Sequence, residues 1–223
     1  MPDARTIAID GPVASGKTAV GRRVAAALGF QFLDTGLLYR AVAWAALRRD
    51  VSPDDESALA RLAQALVIEI TGPDDGERVL VDGEDVTDAL RGPEVEGIVS
   101  RTSSVLGVRE TLVETQRRIA DQGRVVMVGR DIGTVILPHA DVKLFLEASV
   151  GERARRRRAE LRAAGRQAGV SEVQADIEAR DRPDTLRANS PLRKAQDAHL
   201  LRTDGVTLDG VVEWALALVR ASR

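Results

Sequence analysis

An α/β domain with a parallel sheet flanked by helices is the fold class that these 223 residues predict. Three observations carry it. A β-branched run at 7–9 leads through glycines into a helical pattern. Short apolar runs recur after helical stretches at 30–33, 125–128, 142–146 and 200–201. The texture then changes twice, to a small antiparallel sheet at 67–86 and to an arginine-rich helical hairpin at 151–184. Short apolar runs bounded by turns read as strands buried on both faces, and their alternation with helices reads as βαβ units.

Residues 6–18 read Thr-Ile-Ala-Ile-Asp-Gly-Pro-Val-Ala-Ser-Gly-Lys-Thr, a strand followed by Gly11, four variable residues, Gly16, Lys17 and Thr18. This is a phosphate-binding P-loop. Glycine-permitted turns aim successive N–H groups at a phosphate, and the helix that follows adds its positive end. Gly11, Pro12, Val13, Ala14, Ser15, Gly16, Lys17, Thr18 and Ala19 are therefore the expected seat of a polyphosphate. Lys17 is placed to reach its outer phosphates as a mobile point charge, and the Thr18 hydroxyl to take one position on Mg²⁺. Val20, Val24, Ala27 and Leu28 keep helical spacing until Gly29 stops the helix. Only Lys17, Lys143 and Lys194 are lysine among 32 lysines and arginines, and one of the three stands where a planar guanidinium fits poorly.

The chain continues with a strand at 30–33 and a helix opened by Asp34-Thr35-Gly36, with Thr35 as the expected N-cap, running to about Asp50. A helical stretch at 52–66 follows. Strands at 67–70 and 79–81, with Val86, form the small antiparallel sheet, turned at 72–76 and at Asp82-Gly83. Because this sheet interrupts the βα rhythm, residues 63–124 read as an insert. Its second half is helical, at 94–101 and then with Val108, Leu112, Gln116 and Ile119 on one face. The run 125–128 is a central parallel strand ending at Gly129-Arg130-Asp131-Ile132-Gly133-Thr134. Ligands of open parallel sheets bind at such carboxyl ends, so Arg130 and Asp131 are placed for chemistry. After the strand at 142–146 come the helix carrying Arg153 and the run 155–158, breaks at Gly165 and Gly169, and a second helix leading to Arg180-Asp181-Arg182-Pro183-Asp184. A last strand begins at Leu200, and 208–219 is a closing amphipathic helix with Val211, Val212, Ala215 and Leu218 inward.

The length suits one α/β domain with a full core and small inserted lobes. A formal net charge of −2 supplies no electrostatic reason for nucleic-acid binding. The chain has no cysteine, which rules out thiol redox chemistry and thiolate metal sites and accords with a reducing compartment. No run approaches the roughly 20 apolar residues of a membrane span, and the first residues lack a signal peptide's apolar stretch, so a soluble cytoplasmic protein is expected.

Charged residues at turns beside strand ends and helix starts form one candidate set: Arg40, Arg109, Arg130 with Asp131, Arg180 with Asp184, and Arg187. Any single arginine of so many reads as solvated surface, and a run such as 155–158 reads as a solvated helix face of which one or two members reach nucleotide. Arg130 is the strongest, since solvation alone explains poorly a charge between an apolar strand and a Gly-Thr step. His139 and His199 lack metal-ligand spacing and read as structural, and Trp44 and Trp214 read as core. Aromatic residues are 3% of the chain, so a base must be read mainly by hydrogen bonds.

Taken together, GPVASGKT, DTGLLYRA, Val108-Arg109-Glu110-Thr111-Leu112, GRDIGTV, ERARRR and RDRPDTLRANSPL resemble the bacterial cytidylate kinases, in that family's order and over nearly the whole chain. The resemblance implies a P-loop NTPase core (1–62, 125–150 and 185–223), an acceptor-nucleotide (NMP)-binding insert (63–124) and a mobile lid (151–184). It implies ATP as donor, Mg²⁺, and CMP or dCMP as acceptor. A monomer with no nucleic-acid or membrane partner is expected. On the acceptor side it implies Thr35, Tyr39 and Arg40, with Arg40, Arg130 and Arg187 on the phosphate, Ser100, Arg109 and Asp131 on the cytosine edge, and Arg180 and Asp184 on the sugar. The chemistry suits the base: Arg109 can donate to the O2 and N3 acceptors of the ring, and Asp131 can accept from the exocyclic amine. Lys17, Arg130 and the lid arginines Arg153 and Arg157 would approach the transferring phosphoryl. The chain departs from the family at Val128, where an acidic residue that could orient metal-bound water is usual, and at Asn189-Ser190, a change expected to be harmless. Two rival readings are another small-molecule P-loop kinase and a nucleotide-driven switch or motor. The chain lacks both an Asn-Lys-x-Asp guanine motif and an apolar strand ending in Asp-Glu.

Overall fold

The computed structural model describes residues 5–71, 77–163 and 165–222. Contacts divide the chain into two compact units, Met1–Leu33 with Gly123–Arg223, and Asp34–Gln122.

The first unit is built on a five-stranded sheet of β1 (Thr6–Asp10), β2 (Gln31–Asp34), β6 (Val125–Gly129), β7 (Val142–Glu147) and β8 (His199–Arg202), in the order β2-β6-β1-β7-β8. β1 pairs in parallel with β6 and β7, and β7 with β8. The register sets Asp10 beside Gly129 on one side and Phe145 on the other, so the loops that follow β1 and β6 leave the sheet together. Ile7, Ile9, Val126, Val128, Leu144 and Leu146 share one core with Val20 and Val24 of α1 (Lys17–Leu28) and Val211, Ala215 and Val219 of α8 (Leu208–Ala221). Trp214, expected in that core, is instead 48% exposed. It falls about 100° of helical rotation from Ala215, off the buried stripe. Trp44 does pack, half-buried, on apolar clusters of the other unit.

Val128 faces α1. A Cβ on Gly21 would come within 2.5 Å of its Cγ1, so an apolar group lies against the helical turn that follows Thr18. α6 (Val150–Ala163) and α7 (Val170–Leu186) form the arginine-rich hairpin. α7 runs further than the sequence pattern predicts, through Pro183. The proline lacks the N–H of one helical hydrogen bond, and the helix tolerates that loss at an exposed position.

The second unit packs α2 (Thr35–Arg48), α3 (Glu56–Ala65), α4 (Pro93–Ser104) and α5 (Leu106–Asp121) with an antiparallel sheet of β3 (Ile68–Thr71), β4 (Arg78–Val81) and β5 (Glu84–Asp85). The turn expected at 72–76 lies outside the described residues. Compactness divides the chain at Asp34 rather than at 63, because α2 and α3 pack onto α4 and α5. Asp34, not Thr35, caps α2: its carboxylate accepts the Gly36 N–H at 3.0 Å, and Thr35 is the first residue of the helix proper, buried. Similarly α3 begins four residues later than expected, capped by Asp55. In both cases a short acidic side chain satisfies the orphan amides of the first turn.

Candidate active site: the phosphate loop and its flanks

The loop after β1 owes its shape to backbone that only small residues allow. A Cβ on Gly11 would lie 2.4 Å from the Leu146 carbonyl oxygen, and Ala14 and Gly16 have φ of 56° and 91°. These left-handed residues turn the chain so that α1 starts with no side-chain cap and no acidic residue in its first turn, leaving its positive end for an anion. The Ser15 hydroxyl is buried and has no hydrogen-bond partner among the described residues. A polar atom so placed calls for a ligand. Lys17 is 8% exposed, and its Nζ donates to the Pro12 carbonyl at 3.0 Å, which folds the ammonium back over the loop. Thr18 is half-buried and Ala19 exposed in the next turn.

Beside this loop, Asp10 is 4% exposed and accepts the N–H groups of Ile132 and Gly133, both at 2.8 Å. Burial pushes its carboxyl up to about 6, against the two amides and Lys17, with Asp131 adding to the rise. After β6, Ile132–Ile136 forms a single π-helical turn that the sequence pattern does not predict. The end of α7 brings two more charges to Arg130 and Asp131. Arg130 Nε donates to Asp184 at 2.9 Å, and Arg187 lies 3.6 Å from both Asp131 and Asp184. Four of the expected residues thus form one cluster of alternating sign. Arg180 is half-buried on α7, immediately before Asp181.

Arg153 and Arg157 divide. Arg153 is buried, donating to the carbonyls of Ala148 and Val13 and pairing with Asp181, whose other oxygen accepts the Val13 N–H at 3.0 Å. Both backbone groups of Val13 are therefore gripped by the hairpin. Arg157 lies 3.2 Å from Glu160, and Arg156, not singled out from the sequence, donates to the Ser15 carbonyl at 3.1 Å and to Thr203. Arg153→Ala is expected to lower stability by about 3 kcal/mol in urea unfolding, because it leaves the Asp181 carboxylate largely buried without its cation. A loss below about 1 kcal/mol would show that the grip is not formed.

In the second unit, Arg109 is 3% exposed, lies 5.2 Å from the centre of the Tyr39 ring and donates to the Ser103 carbonyl at 3.1 Å. Arg40 donates to the Leu90 carbonyl at 2.9 Å and lies 3.5 Å from Glu96. Ser100 is half-buried on α4, its carbonyl accepting from the Ser103 hydroxyl. Tyr39 and Arg109 come together, while Arg40 is held by the residues around Leu90. His139 and His199 are exposed, and the described residues contain no cluster of His, Cys, Asp or Glu fit to hold a metal.

Asp10, Asp181 and Arg156 are not among the residues that the sequence patterns single out. Asp10 does carry a signal, a charge at the end of an apolar strand, the same feature that marks Arg130. For Asp181 and Arg156 only the folded chain supplies a partner.

A parallel sheet whose first strand passes through this loop into a helix, with Lys17 folded over it, defines a P-loop phosphate-binding protein. The chain belongs to the cytidylate kinase family, whose model matches residues 7–221. It is 51% identical over 207 residues to a cytidylate kinase of Chloroflexus aggregans, covering 91% of this chain and 88% of that one. It is also 48% identical to a cytidylate kinase of Desulfitobacterium hafniense, covering 95% and 91%. A bifunctional pantoate ligase/cytidylate kinase of a Synechococcus strain is 47% identical over 96% of this chain, which spans 40% of that protein. In fold alone the chain resembles an uncharacterised protein of Eubacterium ventriosum, with a TM-score of 0.52 at 12% identity over 99% of this chain and 100% of that one.

Proposed function

We propose that the protein transfers the γ-phosphoryl group of ATP to CMP or dCMP, giving CDP or dCDP and ADP. Membership of the cytidylate kinase family carries this reading, and the phosphate loop supports the donor half of it. Residues 11–19 take the ATP phosphates. Thr18 offers a hard hydroxyl oxygen of the kind Mg²⁺ prefers, and the ion, when bound, neutralises charge on the phosphates. With Val128 apolar and facing α1, the protein supplies no carboxylate for metal-bound water at that position.

In this reading Arg130 and Arg187 of the first unit hold the acceptor phosphate, Asp131 accepts from the exocyclic amine of cytosine, and Arg180 and Asp184 meet the sugar. Of the second unit, Thr35, Tyr39, Arg40, Ser100 and Arg109 serve the acceptor, with Arg109 donating to the base. Residues 63–124 act as the acceptor-binding insert and 151–184 as a lid in which Arg157 approaches the transferring group. Arg153, gripping Val13, acts on the loop itself. No side-chain base is needed, because the acceptor phosphate is already anionic. Catalysis comes from holding two phosphates in line and spreading positive charge over the moving one. Lid closure keeps water from the phosphoryl group. The same reading makes the protein a cytoplasmic monomer that acts on small nucleotides.

A coupled ADP-release assay with CMP, dCMP, UMP and AMP tests the proposal. Turnover is expected with CMP and dCMP and at least about tenfold lower kcat/KM with UMP and AMP, the loss of one buried hydrogen bond or more. Equal turnover of all four would overturn the base assignment, and no turnover of any would overturn the activity.

A further inference from the structure

We infer that Asp10 is a positioning residue for acceptor recognition: its carboxylate fixes the backbone of the segment that presents Arg130 and Asp131. This inference rests on the proposed roles of those two residues.

Asp10 is the last residue of β1. Its backbone leads directly into the phosphate loop, while its side chain turns to the opposite side of the strand from Ile9 and reaches the segment after β6. One oxygen takes the N–H of Ile132 and the other that of Gly133, each at 2.8 Å. These are the first two amides of the π-helical turn, which has no cap of its own, and the first amides of any helical turn lack partners within it. The turn is closed on Asp131, whose carbonyl accepts from both Val135 and Ile136. How that turn sits therefore decides where the Asp131 side chain points, with φ −142° and ψ 24° at this residue.

The seat has little slack. A Cβ on Gly133 would lie 3.2 Å from Lys143 Cδ and 3.4 Å from Asp10 Oδ2, so the segment rests directly on the carboxylate. The register adds a second constraint, since Asp10 is paired with Gly129, the residue before Arg130. Asp10 thus joins the donor loop, through its backbone, to the acceptor-reading segment, through its side chain. A buried carboxylate whose ionised form is disfavoured by its surroundings is the kind of group found at functional sites.

The experiment compares the full chain with Asp10→Asn and Asp131→Ala, each checked for folding by circular dichroism, measuring kcat and KM for CMP, UMP and ATP. Asparagine keeps one acceptor but turns an amino group toward the other N–H. Asp10→Asn is therefore expected to raise KM for CMP about tenfold and to lower the CMP-over-UMP ratio of kcat/KM by a similar factor, with KM for ATP within about twofold. Wild-type KM for CMP and an unchanged ratio, or a fall in kcat alone, would overturn the inference. If Asp131→Ala also leaves the ratio unchanged, the reading of Asp131 fails. If Asp131→Ala collapses the ratio and Asp10→Asn does not, only the role of Asp10 fails.

A second measurement needs no variant. The charged groups whose fields reach Asp10 are Asp131 and Lys17, and Lys143 lies beneath Gly133. Protonating Asp10 places a donor against one of its two amides. The dissociation constant of cytidine, which has no phosphate to titrate, is expected to rise about fivefold as the pH falls from 7.5 to 5. A constant value over that range would overturn the inference even where Asp10→Asn fails to fold.

Discussion

Lys17→Ala is expected to lower kcat by about three orders of magnitude while the protein stays folded, with thermal unfolding within a few degrees of wild type. Lys17 carries its charge on a flexible stem over a loop whose own turns are made by Gly11, Ala14 and Gly16, so removing the side chain leaves the backbone nest in place. What is lost is the one cation of the loop that can follow the phosphoryl group as charge moves. Arginine at the same position is not expected to restore activity, since a planar fork carries more bulk than the ammonium it replaces. Single-turnover kinetics with saturating ATP and CMP are the measurement. A variant retaining full turnover would remove Lys17 from the mechanism and leave the amides and the metal to do its work.

Asp131→Ala is expected to cut kcat/KM for CMP about a hundredfold and leave kcat/KM for UMP within a few-fold, so that discrimination between the two nucleotides nearly disappears. Cytosine presents an amine where uracil presents a carbonyl, and a buried carboxylate accepts from the first and repels the second. Arg187, at the end of α7, lies 3.6 Å from that carboxylate. Wild-type discrimination in this variant would mean that other groups read the amine. The two variants separate the halves of the reaction: Lys17 acts on the donor and in the transition state, Asp131 on the choice of acceptor.

The contrast between Arg130 and Arg153 shows how far the chain could be read without its fold. Arg130 follows an apolar strand directly, and that local contrast alone singles it out; the fold sets it against Asp184, with Arg187 beside both acids. Its partner Asp184 lies 54 residues away, and the helix end that delivers it runs through Pro183, where a sequence pattern predicts a stop. Arg153 was expected near the transferring phosphoryl. In the fold it is buried and holds Val13 together with Asp181, whereas its neighbour Arg156 reaches Ser15. On a helix carrying arginine at five of six consecutive positions, periodicity separates faces but not partners. Similar limits apply to Thr35, displaced as the cap by the residue before it, and to Trp214, whose apolar character implied a core position that the helix phase denied. Asp10 was legible as a charge at a strand end, but the two amides it holds are 122 and 123 residues distant.

Local patterns in the chain carry the phosphate loop, the parallel sheet behind it, the small antiparallel sheet and the family, because each is written in short-range terms: left-handed glycine, apolar period, turn chemistry and motif order. The tertiary structure alone decided which arginines are engaged and by what, that Asp10 and Asp181 hold the loops, and that a π-helical turn sets Asp131. Those outcomes depend on pairings between residues dozens to more than a hundred positions apart, which burial makes energetically decisive and which no local pattern encodes.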